Sequence, residues 1–171
     1  MIKVKVMLDP GAKMPQRAYD TDSGWDIHAL RVKTIYRTIQ DPEWRELEQG
    51  TTPPKGADWR VMIDTGVHLQ PPHGWGFTGR PNSRSGKSWW RWAFSPSTLD
   101  QGYTGAIKVM LEPRNPNCFY SCYAPKKGEV CGQILLEKIY DFTLEQVETL
   151  EDTARGAGGF GSTERKELNN G

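Results

Sequence analysis

EVCGQILLEKIY, residues 129–140, is the stretch that decides the fold class. Val130, Cys131, Ile134, Leu135 and Leu136 crowd into a run too short for a long helix and apolar enough for a strand covered on both faces. Lys126-Lys127-Gly128 just ahead of it is a turn signal. Working outward, the same alternation of short apolar runs and turns recurs. Ile2, Val4 and Val6 alternate with Lys3 and Lys5, which predicts a strand with one buried face. Further strand candidates are 24–32, 59–69, 89–94, 106–112 and 118–123, separated by Pro71-Pro72-His73-Gly74, Asp100-Gln101-Gly102 and Pro113 to Pro116. Many short strands at this spacing predict an all-β sandwich, barrel or jelly roll.

Composition excludes the alternatives. Eighteen glycines and twelve prolines in 171 residues are too many for a helical bundle, because both residues break helix interiors. Seven Trp, six Tyr and five Phe are too many for a chain that buries nothing. Twenty-two basic residues oppose twenty-one acidic ones, so no global field draws the chain to nucleic acid or anionic lipid, and a polyanion has to be met by a local site. Cys118, Cys122 and Cys131 are odd in number and lack Cys-x-x-Cys spacing, which fits reduced thiols in a cytoplasmic protein better than a zinc site. No run of 18 apolar residues and no apolar leader is present, so no membrane partner is expected.

Two segments stand apart from the strand pattern. Residues 34–58 form a polar insertion, in which Asp41 as cap, Pro42 at the first helical position, Glu43 near the N-terminus and Gly50 as terminator predict one short helix. Trp44 and Leu47 would share its face. Beyond about Thr153 periodicity ends, so the chain divides into a β domain over 1–153 and a mobile Gly-rich tail over 154–171.

Several segments could carry chemistry. Arg155-Gly156-Ala157-Gly158-Gly159-Phe160-Gly161-Ser162-Thr163 offers backbone amides and a guanidinium to phosphate and a ring to a base, although a plain Gly-rich end or an RNA contact fits the composition too. Gly86-Lys87-Ser88 ends like a P-loop, but Pro81 stands where the first glycine belongs, and Trp89 to Trp92 is no obvious helix. Asp100, before Gly102, Tyr103 and Gly105, could present an acid and a flat ring from a hairpin, or be an ordinary turn residue. Asp26 could act toward a metal or simply end a strand, and Gln133 at an apolar strand position needs a partner or a ligand.

In order, these pieces resemble the five motifs of the trimeric dUTPase family. The counterparts are Ser23-Gly24-Trp25-Asp26-Ile27; Ser83-Arg84-Ser85-Gly86; Thr98-Leu99-Asp100-Gln101-Gly102-Tyr103-Thr104-Gly105; Gly128-Glu129-Val130-Cys131-Gly132-Gln133; and Arg155 to Thr163. The resemblance implies a jelly-roll subunit, a homotrimer with shared sites, and Mg²⁺-dependent cleavage of dUTP to dUMP and pyrophosphate. It assigns Asp100 to activate the water that attacks the α-phosphorus and Asp26 to act on Mg²⁺ through water. Tyr103 would lie against the deoxyribose. Backbone groups from Thr98 and Leu99 out to about Lys108 would read the base edge. Ser83 or Ser85, with Arg84, Gly86 and Gln133, would meet phosphates or ordered water, and Arg155, Phe160, Gly161, Ser162 and Thr163 would close the site as a lid.

Three departures from the family pattern matter. The motif-two serine falls at Ser85 by the literal Arg-Ser-Gly and at Ser83 by gapless counting from Gly74. Phe94 stands where the family usually has an asparagine that helps recognise uracil, which leaves dCTP or a modified pyrimidine as an alternative substrate. The 34–58 insertion has no counterpart and is a candidate protein-partner surface, so a nucleotide-binding regulator on the same fold is the rival of another class.

Overall fold

Alternation is clearest at Asp58–Asp64, where Trp59, Val61 and Ile63 are buried while Arg60 and Met62 are only half so. This is the signature of a strand with one face in the core. The computed structural model describes residues 1–87, 89–115, 124–154 and 156–157. Its strands in chain order are β1 (Lys5–Leu8), β2 (Trp25–His28), β3 (Arg31–Arg37), β4 (Arg45–Glu46), β5 (Asp58–Asp64), β6 (Val67–Gln70), β7 (Trp75–Arg80), β8 (Trp90–Trp92), β9 (Ser97–Leu99), β10 (Lys108–Pro113) and β11 (Val130–Lys138). One 3₁₀ turn covers Ser83–Lys87. Candidate strand 118–123 lies outside the described residues.

Three antiparallel sheets result, ordered β4-β3-β5-β10-β8, β2-β11-β7-β9 and β1-β6. The first two share a single core. Ile63 and Val109 face each other in register on β5 and β10, and Ile27, Phe77, Cys131 and Ile134 come from the second sheet. Trp59 and Trp90 meet edge to face with centroids 5.4 Å apart. Each such fully buried aliphatic side chain is stabilising by about 1.5–3 kcal/mol. The strand and turn pattern predicts this all-β class, and the family resemblance implies its jelly-roll-like form.

The turns fall where the sequence places them. Trp75 donates to Pro72 O at 3.1 Å, Tyr103 to Asp100 O at 3.0 Å and Glu129 to Lys126 O at 2.9 Å. Gly66 joins β5 to β6 at φ +64°, and a Cβ there would come within 2.5 Å of Leu30 Cδ2, so the corner demands glycine on both counts.

Four sequence expectations change. No helix forms over 41–50: Arg45 and Glu46 instead pair with Tyr36 and Ile35, extending β3 into a hairpin. A lone helix under three turns long is marginal, whereas Trp44 gains the guanidinium of Arg37 at 4.6 Å and that of Arg60 at 4.9 Å over its ring. β1 has no buried face; all four of its residues are exposed, because it pairs with β6 alone and no layer covers it. β11 is not covered throughout, since Leu135 and Leu136 are only half-buried. β7 and β9 escape the strand pattern, because Gly76 and Gly79 interrupt the apolar signal of β7 and β9 is only three residues long.

Met1–Tyr140 form one compact unit and Asp141–Gly171 a second. No described residue of the second unit lies in a strand or helix. Among the described residues, no helix is long and apolar enough to cross a membrane.

Candidate active site

One rung of the second sheet gathers the first cluster. Asp26 on β2 pairs with Gln133 on β11, which pairs with Arg80 at the end of β7. The amide of Gln133 donates to Pro81 O at 3.3 Å, tying β11 to the start of the 83–87 turn. A Cβ at Gly24 would lie 2.2 Å from Gln133 Oε1, so the glycine ahead of Asp26 makes room for this amide. The Asp26 backbone is fixed on both sides by Gln16, yet its half-exposed carboxylate has no cation or hydrogen-bond donor among the described residues.

The 3₁₀ turn is set by Asn82, whose Oδ1 accepts from Ser85 N at 3.3 Å and from Ser85 Oγ at 3.2 Å. Arg84 and Ser85 line a cavity of about 630 Å³ together with Trp92, His28, Val130 and Cys131, thereby joining the second and fourth motifs. Ser83 and Arg84 are exposed and Ser85 is half-buried; of the two serines, Ser85 borders the cavity. Gly86 lies in the same turn. Burial, aided by Lys13, holds the His28 pKa below the ordinary histidine value, and its Nδ1 has no hydrogen-bond partner among the described residues. Burial pushes the Cys131 thiol up to about 12, which removes it as a nucleophile.

The second cluster sits in the loop that leads from β9 to β10; the hairpin expected here does not form, because β9 pairs with β7 and β10 with β5 and β8 in a different sheet. Leu99 pairs with Phe77 and Thr98 with Thr78, so Asp100 emerges beyond the β9 end, exposed and without a partner for its carboxylate among the described residues. Tyr103 folds back to donate its hydroxyl to Ala106 O at 2.9 Å, and the residue is 43% exposed. A Cβ at Gly105 would sit 2.6 Å from that hydroxyl oxygen, so Gly105 gives the ring its seat. Lys108 opens β10 opposite Asp64, with its side chain exposed. Thr98, Leu99 and Asp100 border a recess of about 280 Å³, floored by Phe77 and flanked by Glu137.

The chain does not bring the two clusters together. Asp100 lies level with Gly76 on β7, while Arg80 and Pro81 lead into the 83–87 turn at the opposite end of that strand. Four residues of strand separate the two levels by about 13 Å. Arg155, Phe160, Gly161, Ser162 and Thr163 lie outside the described residues. Sequence reasoning missed Asn82, although an Asn three residues before a serine is a recognisable Asx-turn signal. It also missed His68, whose place depends on sheet pairing that no local pattern reveals.

Residues 49–164 match the family model for dUTPase. A Rhodococcus erythropolis protein described as deoxyuridine 5'-triphosphate nucleotidohydrolase is 31% identical over 91% of this chain and 82% of its own length. A Rickettsia bellii protein of the same description is 32% identical over 95% and 94%. Among solved structures, the Staphylococcus bacteriophage 80alpha dUTPase with dUPNHPP superposes with a TM-score of 0.72 at 22% identity, covering 94% of this chain and 97% of the phage chain. The agreement in fold extends nearly end to end.

Proposed function

The chain belongs to the dUTPase family, and from that membership we infer a deoxyuridine 5'-triphosphate nucleotidohydrolase that splits dUTP into dUMP and pyrophosphate. The observation that carries the reading is the ordered set of motif segments, two of which meet at the Asp26–Gln133 rung and two at the 630 Å³ cavity.

Each group then has a role set by its chemistry. Asp100, an exposed carboxylate with no cation against it among the described residues, accepts a proton from the water that attacks the α-phosphorus. Tyr103, seated on Gly105, presents its ring to the deoxyribose. Backbone from Thr98 and Leu99 to Lys108 reads the base edge. Ser85 or Ser83, with Arg84, Gly86 and Gln133, takes the phosphates. Arg155, Phe160, Gly161, Ser162 and Thr163 close over the substrate and exclude water.

Asp26 suits Mg²⁺, because this small hard cation binds through one or two carboxylates, waters and substrate phosphates. Its carboxylate is half-exposed and unpaired among the described residues, which fits that role. Bound Mg²⁺ would neutralise charge building on the phosphate oxygens.

The site is shared among copies in a homotrimer. Asp100 and Arg84 sit at opposite ends of one strand, so a triphosphate reaches both types of group only where chains adjoin. Exposed apolar side chains support this: Val6, Met7 and Leu8 on β1, Ile139 and Tyr140, and, in the second unit, Phe142, Leu144 and Leu150. The 34–58 hairpin remains a candidate surface for a protein partner, and the reduced, buried Cys131 fits a cytoplasmic setting.

Pyrophosphate release with Mg²⁺ across dUTP, dCTP, dTTP and UTP tests the reading. dUTP should be turned over fastest. Phe94, exposed in the turn before β9 at the usual asparagine position, makes dCTP the informative competitor. Faster dCTP turnover reassigns the base, and no turnover of any deoxynucleotide would leave only the nucleotide-binding regulator.

A further inference from the structure

His68 lies on β6, outside every motif, and its two ring nitrogens both face acceptors. Nδ1 is 2.8 Å from Thr104 O and Nε2 is 3.1 Å from Asp9 Oδ1. A carbonyl oxygen offers only lone pairs, so Nδ1 must carry a hydrogen. Asp9 is gripped by the guanidinium of Arg31, which also reaches Asp64 Oδ2 at 3.1 Å. That grip keeps Asp9 ionised, so its oxygens too can only accept, and Nε2 must carry a hydrogen as well. Both contacts are satisfied only by the imidazolium. Neutral imidazole has one donor and sets a lone pair against one of the two oxygens.

Thr104 adjoins Tyr103 and Gly105 in the loop between β9 and β10 that bears Asp100. We propose that His68, as an imidazolium strut between Asp9 and the Thr104 carbonyl, is a positioning residue that holds this loop in its working geometry. The inference rests on Asp100 and Tyr103 acting in dUTP hydrolysis as described above. The strut is anchored at depth: Gly66 O accepts from Asp9 N at 2.8 Å, and Ile107, at the far end of the loop, donates to Val67 O at 2.9 Å. The charged groups around the ring are Asp9 on the N-terminal segment, Arg31 on β3 and Asp64 on β5, with Lys108 of β10 across from Asp64. The Thr104 carbonyl is the largest influence on the His68 pKa and raises it; burial opposes it, the Asp9 carboxylate adds to it, and the balance stands above the ordinary value of 6.5. Above the raised value the strut loses a donor and the loop loosens.

Two measurements test this. The first needs no turnover: nitrogen-15 imidazole NMR of the intact protein should find both His68 nitrogens protonated at pH 6.5, with a midpoint above 6.5 and with the Thr104 and Gly105 amides shifting in step. A His68 that is neutral at that pH, or loop amides that ignore its titration, overturns the proposal. The second is kcat/KM for dUTP against pH in His68→Asn and His68→Phe. Asparagine keeps a non-titrating donor near the Nδ1 position; it should retain activity within about threefold and lose the wild-type fall on the alkaline side. Phenylalanine keeps a ring without donors and should lose about tenfold at every pH. A wild-type alkaline fall that persists in His68→Asn, or a His68→Phe variant as active as wild type, refutes the strut. If His68→Phe does not fold, His68→Asn and the NMR titration decide. An inactive wild-type protein refutes the hydrolase reading instead, and the titration still judges the strut.

Discussion

Asp100 and Asp26 share a property that sets them apart from the paired acids around them: neither carboxylate meets a cation or donor among the described residues, while Asp9, Asp58, Asp64, Glu112 and Glu137 all do. An unpaired carboxylate is free to accept a proton. Asp100→Asn should therefore lower kcat by about 10²–10⁴-fold while calorimetry finds dUTP affinity little changed. Unchanged turnover would remove Asp100 from the role of base. Stability carries its own pH signature at this scale. The Asp9 pKa is lowered chiefly by Arg31, so its contribution is present above the unfolded value of 3.8 and is lost as pH falls through the depressed folded value. The His68 pKa is raised, so its contribution is complete below 6.5 and is lost as pH rises through the raised folded value. Thermal melts across pH 4 to 9 should show the alkaline decline shrinking in His68→Asn; an identical decline would sink the assignment. The proposed residue roles are unevenly legible. Those of Asp100 and Tyr103 rest on a compact local motif, whereas that of His68 arises only through a carbonyl 36 residues away.

β11 and the β3–β4 hairpin make the contrast between elements. β11 reads as a strand from its apolar run alone, and it carries Gly132 because Trp92 from the facing sheet leaves no space: a Cβ there would sit 2.1 Å from Trp92 Cζ2 and 3.2 Å from Arg80 O. Gly132→Ala should cost about 1–3 kcal/mol by overpacking, measured by urea unfolding; an unchanged midpoint would mean that the two sheets can part easily. Residues 41–50 depart from their helical signals because cap residues and an i, i+3 pair are local and weak, and a paired strand edge with two guanidiniums over Trp44 outweighs them. Trp44→Ala should destabilise the hairpin by about 1 kcal/mol, with faster amide exchange over 41–50 and kcat nearly unchanged. A large loss of kcat would bring this hairpin into the active site.

At the scale of the molecule, the separation of the Asp100 loop from the Arg84–Gln133 cluster predicts that activity depends on assembly. Sedimentation should find a trimer at micromolar concentration, and specific activity should fall on dilution in step with dissociation. A fully active monomer would refute shared sites. Removing residues 154–171 should cripple turnover while leaving the thermal midpoint of the β domain nearly unchanged; a fully active truncation would refute the lid. By itself the sequence determined the all-β class, the turns and the chemistry, because strand alternation, turn residues and motif spacing are local or run in chain order. Only the tertiary structure decided which strands pair, that β1 lies uncovered, that residues 41–50 join a sheet, and that Asp100 and Arg84 stand at opposite ends of β7. The physical reason is that those outcomes depend on long-range register and packing, in which Gly132 yields to Trp92, Gly24 yields to Gln133 and His68 finds Thr104 across the fold.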